Sequence, residues 1–528
     1  MKKLLAILLA LIMMLTTVSA MAAAAPEKWD ISKSKTATNL DANYESKVTL
    51  SLPSAEEPLV SDIVFVLDKS TSAQLEQQAL NMLKELKVHV EETGATVKVG
   101  VVIFNKVANV ANDGKFFNLA TEYDGIEAAI KQEIKSGTNT HAGLLAGKKM
   151  LDDDKSVENN RKYLIFVSDG ITYMYDKDAK IVPYYWMNDN KPYYSADPYS
   201  WQFKYGNNDA PERWDTLLQQ IGTALDKETI EPILYDNKNT LSPDNATSAQ
   251  DKDLATYTTS VDRALYYTYI TYAAAQQAGY HCFAMTADTT SASKYPWGPN
   301  FMNYLAGDKK VDFSAIRNDI LYLVGAGSTV TDYMGYVEGD YNFDFVNDAA
   351  ALSLKVGDDS YAAIELEDNK YGFKPSGNNS DGNNGYDYIV KYFPGEQNAE
   401  HFVWTINVPV SKFAPVQLTY AVKLTNPKTA PGTYGTYDKD GSENDGSENY
   451  EGLYTNNFAV LSPVNSNSEK GADEDFNKPT VSYTVSGGGG GHTHYDPTPS
   501  VPVVVVVPPK TGDMPLWYGI ARFLGLVK

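Results

Sequence analysis

Three short stretches place oxygen donors where a hard cation would sit. The first, Val66-Leu67-Asp68-Lys69-Ser70-Thr71-Ser72, ends an apolar run and enters a segment of helical period. The second, Ser136-Gly137-Thr138-Asn139-Thr140, precedes another helix. The third, Leu164-Ile165-Phe166-Val167-Ser168-Asp169-Gly170, puts a carboxylate at the end of a strand. Ligands gather at the carboxyl ends of parallel strands, which places the three stretches at one edge of a sheet. Carboxylates and hydroxyls suit Mg²⁺ or Mn²⁺ rather than zinc. Ser and Asp also cap helices, so Asp68, Ser70 and Ser72 alone are a weak signal, and the other two stretches raise it. The six histidines are scattered at 89, 141, 281, 401, 492 and 494. No Ser/His/Asp or Cys/His pairing accompanies them, so the chemistry predicted is binding, not catalysis. His141, just past Thr140, reads as a surface residue at a helix start.

The elements that must position these residues alternate. Apolar runs at Ile63–Leu67, Val97–Phe104, Tyr163–Val167 and Tyr280–Met285 read as strands buried on both faces. Between them Leu75, Ala79, Met82, Leu86 and Val90 recur at helical spacing, and Ala142, Leu145 and Leu151 begin another helix. This pattern predicts an α/β fold: a doubly wound, mostly parallel, Rossmann-like sheet. On either side the period changes to that of half-buried strands, with Val48, Leu50 and Leu52 before it and Phe402–Val408, Val416–Leu424 and Asn457–Leu461 after it. A short β piece before the α/β block and a longer one behind it predict one β-sandwich into which the α/β domain is inserted.

The three donor stretches, in this order and strand context, resemble the metal-ion-dependent adhesion site of von Willebrand factor A domains. The resemblance spans roughly residues 60–335. It implies that Asp68, Ser70, Ser72, Thr138 and Asp169 hold the metal, some through water, and that a carboxylate from a protein ligand completes the shell.

The composition fits an exported surface protein. The chain has 528 residues, 45 Lys+Arg against 67 Asp+Glu, and a formal net charge of −22. That balance argues against nucleic acid and anionic lipid as partners. One cysteine excludes a disulfide framework, and Cys282 reads as a buried, inert thiol. Lys2-Lys3, the apolar run Leu4–Leu15 and the small residues to Ala25 have the layout of a secretory signal peptide. At the far end Gly487–Gly491 and a Pro/Val stretch form a linker, in which His492 and His494 read as solvated.

Pro508-Pro509-Lys510-Thr511-Gly512 and the apolar tail resemble the sorting signal of Gram-positive cell-wall proteins. The resemblance implies that a sortase cuts between Thr511 and Gly512 and joins the chain to wall peptide or to a pilin. Pro508 stands where Leu is usual, and the tail after Gly512 is short. The whole layout resembles pilus-tip adhesins. It reads as a signal peptide over 1–25, first sandwich strands over 26–59, and an A domain over 60–335 with an insertion over 171–260. The rest of the sandwich covers 336–486, a linker 487–507 and a sorting signal 508–528.

Three features remain. The insertion is dense in Tyr and Trp, residues enriched at recognition hot spots. It leaves the sheet beside the presumed metal, so Tyr184, Tyr185, Trp186 and Trp201 are candidates for contact with a protein or glycan ligand. The same aromatics also suit a small core of their own. Pilus-tip adhesins further imply a Lys–Asn isopeptide bond in the sandwich, for which Lys33 or Lys35 with Asn456 or Asn457 are the candidates and the assisting acid is unassigned. The turn Asp438–Asp445 fails the EF-hand template, because Glu443 stands where Gly is needed, and reads as a solvated hairpin loop. A cell-surface adhesin is the first reading. A glycan-binding module and a structural pilin are the alternatives, and an enzyme is not expected.

Overall fold

The computed structural model describes residues 28–29, 31–55, 59–69, 73–93, 95–134, 137–188, 191–193, 210–228, 258–287, 294–307, 312–376, 385–443, 452–465 and 468–486, with backbone alone at 73–74, 186–188, 191–193 and 397. Ser70, Ser72, Trp201, the histidines at 492 and 494, Thr511, Gly512 and the signal peptide lie outside the described residues.

Two strands, β1 (Ser34–Ala37) and β2 (Glu45–Leu52), form a hairpin before the chain enters the parallel sheet. That sheet runs β6 (His281–Thr286), β5 (Lys162–Ser168), β3 (Val60–Asp68), β4 (Thr96–Phe104), all parallel, with two short antiparallel strands beyond β4. The near-continuous apolar strands follow from burial on both faces. Ile63, Phe65 and Leu67 of β3 pack with helices α1 (Ala73–Thr93), α2 (Tyr123–Lys131) and α7 (Phe313–Leu321). Val64 and Val66 face the other layer, which holds α3 (Thr140–Asp153), α4 (Trp214–Leu225), α5 (Ser260–Gln277) and α6 (Trp297–Leu305).

Helix α4 lies inside the aromatic insertion, where the sequence reading marks no helix. Its Trp214, Leu217, Leu218 and Ile221 are buried in the core of the parallel-sheet domain.

The β-rich part is two sheets face to face. One has the order β1-β2-β11 (Val416–Leu424)-β8 (Tyr341–Phe345), then Tyr336–Val337. In the other, β9 (Tyr386–Phe393), β10 (His401–Ile406), β7 (Ser328–Met334) and β12 (Asn456–Ser462) are consecutive neighbours. Strands from before and after the parallel sheet thus pair directly, β2 with β11 over eight residues from Glu45↔Lys423 to Leu52↔Val416. Leu50, Leu418 and Tyr420 from one sheet meet Val330, Trp404 and Leu461 from the other in one core. The boundary read at 335 falls too late. Strand β7 pairs with β10 and β12, so the sandwich has already resumed before that point.

A loop from the sandwich enters the neighbouring domain. Phe413 is buried in the core beside α7. Lys412 donates from Nζ to the Tyr163 hydroxyl at 2.7 Å, and Arg161 Nη2 donates to the Lys412 carbonyl at 3.2 Å. The turn at 438 is organised by a carboxylate. Asp438 Oδ1 accepts from the amides of Asp440 and Gly441, and Oδ2 from that of Glu443 at 2.8 Å. Cys282 is partly buried, and burial pushes its thiol up to about 12. Residues 429–432 and 484–486 belong to a separate, smaller unit. Among the described residues no helix is long and apolar enough to cross a membrane.

Candidate metal centre and a buried lysine cluster

Asp68 ends β3 and Asp169 follows the end of β5, its parallel neighbour. Both are buried, at 0% and 2% exposure. Ser168 Oγ donates to Asp68 Oδ2 at 2.8 Å and accepts from the Gly170 amide at 3.0 Å, while the Ile171 amide donates to Asp169 Oδ1 at 3.0 Å. Gly170 takes φ +77°, and a Cβ there would stand 2.1 Å from the Gly298 carbonyl oxygen. A Cβ on Gly298 would in turn meet the Asp169 carbonyl at 2.7 Å. Two glycines therefore let the start of α6 lie against the Asp169 loop.

Thr138 reaches the same edge through a stitched loop. Asn139 caps α3, accepting from the Ala142 amide at 3.0 Å, and its Nδ2 donates to the Lys106 carbonyl at 3.0 Å and to Asp176 Oδ1 at 2.8 Å. The Thr140 hydroxyl is spent inside, at 2.8 Å from that of Thr172 and 2.6 Å from that of Thr268. Lys69 fixes the turn after Asp68 by donating to Glu76 and, at 2.9 Å, to the Ile130 carbonyl. The structure thus brings Asp68, Thr138 and Asp169 to one sheet edge. Two carboxylates and a hydroxyl are the donor types a hard divalent ion takes. No cluster of three or more His, Cys, Asp or Glu groups occurs among the described residues.

His141 is buried, not on the surface as the sequence reading had it. Its Nδ1 accepts from the Asp176 amide at 3.1 Å, its ring stacks on Tyr267 at 5.3 Å, and burial lowers its pKa to about 4. Desolvation raises the neighbouring Asp176 carboxyl. Ser168, Gly298 and Asp176 escaped the sequence reading, because their relevance depends on neighbours distant in sequence. The Ser168-Asp169-Gly170 run held the one usable hint.

Among the aromatic candidates, Tyr184 is half-buried and meets Tyr173 edge-on at 5.9 Å. Tyr185 is a core residue. It is buried, its hydroxyl lies 3.2 Å from that of Tyr175, and the Arg263 guanidinium sits 5.8 Å from its ring centre. It is not available to a ligand in this conformation. Trp186 lies in a hairpin with Lys191–Tyr193, described as backbone only. Glu228 is tied to Thr258 and to helix α5. Its Oε1 accepts from the Thr258 amide at 2.7 Å and hydroxyl at 2.8 Å, and Arg263 donates to its Oε2.

The crosslink candidates separate clearly. Lys33 pairs with Glu474 at 2.7 Å, Asn457 Oδ1 accepts from the Tyr336 amide at 3.1 Å, and both residues are only half-buried. Lys35 and Asn456 are fully buried. Lys35 Nζ lies 2.5 Å from Asp332 Oδ2, with both side chains at 0% exposure. Desolvation lowers the lysine's pKa and raises that of the aspartate. Asp332 Oδ1 and Asn456 Nδ2 are buried with no hydrogen-bond partner. The two residues occupy inward positions on the adjacent strands β7 and β12, where Met334 is opposite Asn456.

Residues 63–171 match the family model of the von Willebrand factor type A domain. Among solved structures the chain is similar to the type V pilus tip protein Mfa5 of Porphyromonas gingivalis, at 15% identity and TM-score 0.31, covering 87% of this chain and 78% of that one. It is also similar to the pilus adhesin SpaC of Lactobacillus rhamnosus GG, at 15% identity and TM-score 0.32, covering 85% of this chain but 47% of that one. A third is the tip pilin GBS104 of Group B Streptococcus agalactiae, at 14% identity and TM-score 0.28, covering 87% and 93%. No curated protein sequence matches the chain.

Proposed function

We propose that this is a cell-surface adhesin of the pilus-tip kind, whose A domain, inserted in the sandwich, binds a protein ligand at the edge formed by Asp68, Thr138 and Asp169. The observation that supports this reading is the common sheet edge of those donors, with Ser168 holding Asp68 in place. Ser70 and Ser72 of the same motif would join them around Mg²⁺ or Mn²⁺, and the bound ion would supply a position for a ligand carboxylate. The chain's own part is to hold two carboxylates and a hydroxyl at fixed positions on the sheet edge before the ion arrives. Export by a signal peptide and attachment by a sortase through Thr511-Gly512 belong to the same reading. The test is Mn²⁺ titration of the full chain by calorimetry. Wild type should bind and Asp68→Ala should not, with circular dichroism unchanged. Equal binding by both overturns the site. The burial of Tyr185 leaves a glycan-stacking role for the insertion with less support than the metal edge has.

The second element of the proposal is an isopeptide bond between Lys35 and Asn456 with Asp332 as the assisting acid. Its support is the buried Lys35–Asp332 pair, with buried Asn456 on the strand adjacent to that of Asp332 and one polar atom of each of these two residues unsatisfied, at a cost of about 1–3 kcal/mol for each. A proton passing from the ammonium to the carboxylate gives two neutral groups, the form that a low-dielectric interior favours. The neutral amine then forms a bond to Asn456 Cγ, the Cγ–Nδ2 bond breaks, and Nδ2 departs as ammonia after gaining a proton. Intact mass decides it: the full chain should be lighter than its sequence by one ammonia, and Asp332→Ala should not.

A further inference from the structure

We propose that Tyr420 is a positioning residue for the Lys35–Asn456 crosslink, fixing which oxygen of Asp332 carries the transferable proton. The inference rests on the crosslink reading above. Tyr420 lies on β11, in the sheet opposite Asp332, and faces the shared core. Its hydroxyl donates to Asp332 Oδ2 at 2.6 Å. Lys35 Nζ contacts the same oxygen at 2.5 Å and stands 5.8 Å from the centre of the Tyr420 ring. Oδ2 therefore receives two donors, whereas Oδ1 is buried with none. The ammonium proton passes from Lys35 Nζ to the oxygen it touches, but a carboxylate oxygen has room for about two good donors, so a half-turn of the carboxyl group then sets the protonated oxygen in the donor-free Oδ1 position and returns a bare oxygen to Lys35 and Tyr420. Oδ1–H is then the group able to protonate the departing Asn456 nitrogen, while Oδ2 keeps its hold on the lysine. Phe402, edge-on to Tyr420 at 4.8 Å, and Phe345 at 5.9 Å keep the phenol from turning away. The charged and titratable groups acting on the cluster are Lys35, Asp332, Tyr420 and Lys478.

With Phe at 420, Oδ2 loses one donor and the proton is free to stay beside the lysine. The full chain is made by cell-free synthesis, quenched in acid at intervals and weighed intact over a series of pH values. Wild type is compared with Tyr420→Phe and with Phe343→Leu, a core change in the same sandwich outside the cluster. The expected result is a crosslinking rate roughly tenfold lower in Tyr420→Phe, with a displaced pH profile, and a wild-type profile in Phe343→Leu. A Tyr420→Phe chain that loses ammonia at the wild-type rate and with the wild-type profile overturns the role of Tyr420. So does an equal displacement in Phe343→Leu. A wild-type chain that never loses ammonia overturns the crosslink itself, and the role of Tyr420 with it.

Discussion

Ser168 holds Asp68: the hydroxyl that ends one strand donates at 2.8 Å to the carboxylate that ends its neighbour. One of the candidate ligands is therefore oriented by a residue that is not itself a candidate, and the same hydroxyl accepts from the Gly170 amide. Ser168→Ala removes both bonds. A hydrogen bond to a charged group contributes about 1.5–3 kcal/mol, so Mn²⁺ affinity measured by calorimetry should fall roughly tenfold or more. Unchanged affinity would separate Ser168 from the site.

The Gly170–Gly298 approach gives a second prediction. Gly298→Ala places a methyl 2.6 Å from Ile171 Cγ1 and 2.7 Å from the Asp169 carbonyl oxygen. Overpacking of this kind costs about 1–3 kcal/mol. Thermal unfolding should come at a lower temperature, and a variant as stable as wild type would show that α6 yields without cost.

Two buried groups set opposite pH dependences. His141 has a folded pKa of about 4 against 6.5. Its contribution is fully present above pH 6.5 and is lost as pH falls toward 4, by about 3 kcal/mol at most. Asp62, fully buried at the start of β3, is raised from 3.8 to about 6, chiefly by desolvation. It destabilises the fold as pH rises from 3.8 through 6, by a similar amount of about 3 kcal/mol. Denaturant unfolding of Asp62→Asn should show higher stability at pH 7 and a steeper loss below pH 6, because the histidine then acts unopposed. A wild-type profile in Asp62→Asn refutes the assignment.

The proposed crosslink would leave a stability signature. A covalent link from residue 35 to residue 456 would close most of the chain into one loop. The chain-entropy account gives an upper value of about 6 kcal/mol for a loop of that size. Asn456→Ala should unfold in markedly less denaturant than wild type. Equal midpoints would mean that the core alone holds the sandwich.

The parallel strands and the three donor stretches were readable because each signal lies within a few residues of chain. Asp332 and Tyr420 were not, since each is one polar residue in an alternating strand and acquires meaning only from the sheet packed opposite. Lys33 and Lys35 have the same strand parity, and only Glu474 beside one and Asp332 beside the other tells them apart. Asn456 and Asn457 differ in parity, but the register shifts beside Met334, where Asn456 pairs, and hides which one points inward. The insertion misled through composition. Its tyrosines suggested a face for a ligand, yet Tyr173, Tyr175 and Tyr185 are buried, and Tyr173 shares a core with helix α4.

Phe413 has a mechanical consequence. The chain passes between the sandwich and the parallel-sheet domain once on entering β3 and once on leaving α7. Two attachment points define an axis, and bodies joined only there can swing about it. Phe413, seated in the core of the second body, with Lys412 bonded to Tyr163, is a third attachment made without a chain crossing. The Lys412 amide also donates to the carbonyl of Leu321, the last residue of α7, at 2.7 Å, so this attachment braces the crossing at which the chain leaves the parallel-sheet domain. A pull on the parallel-sheet domain would then be carried at that crossing by packed side chains as well as by the single covalent chain.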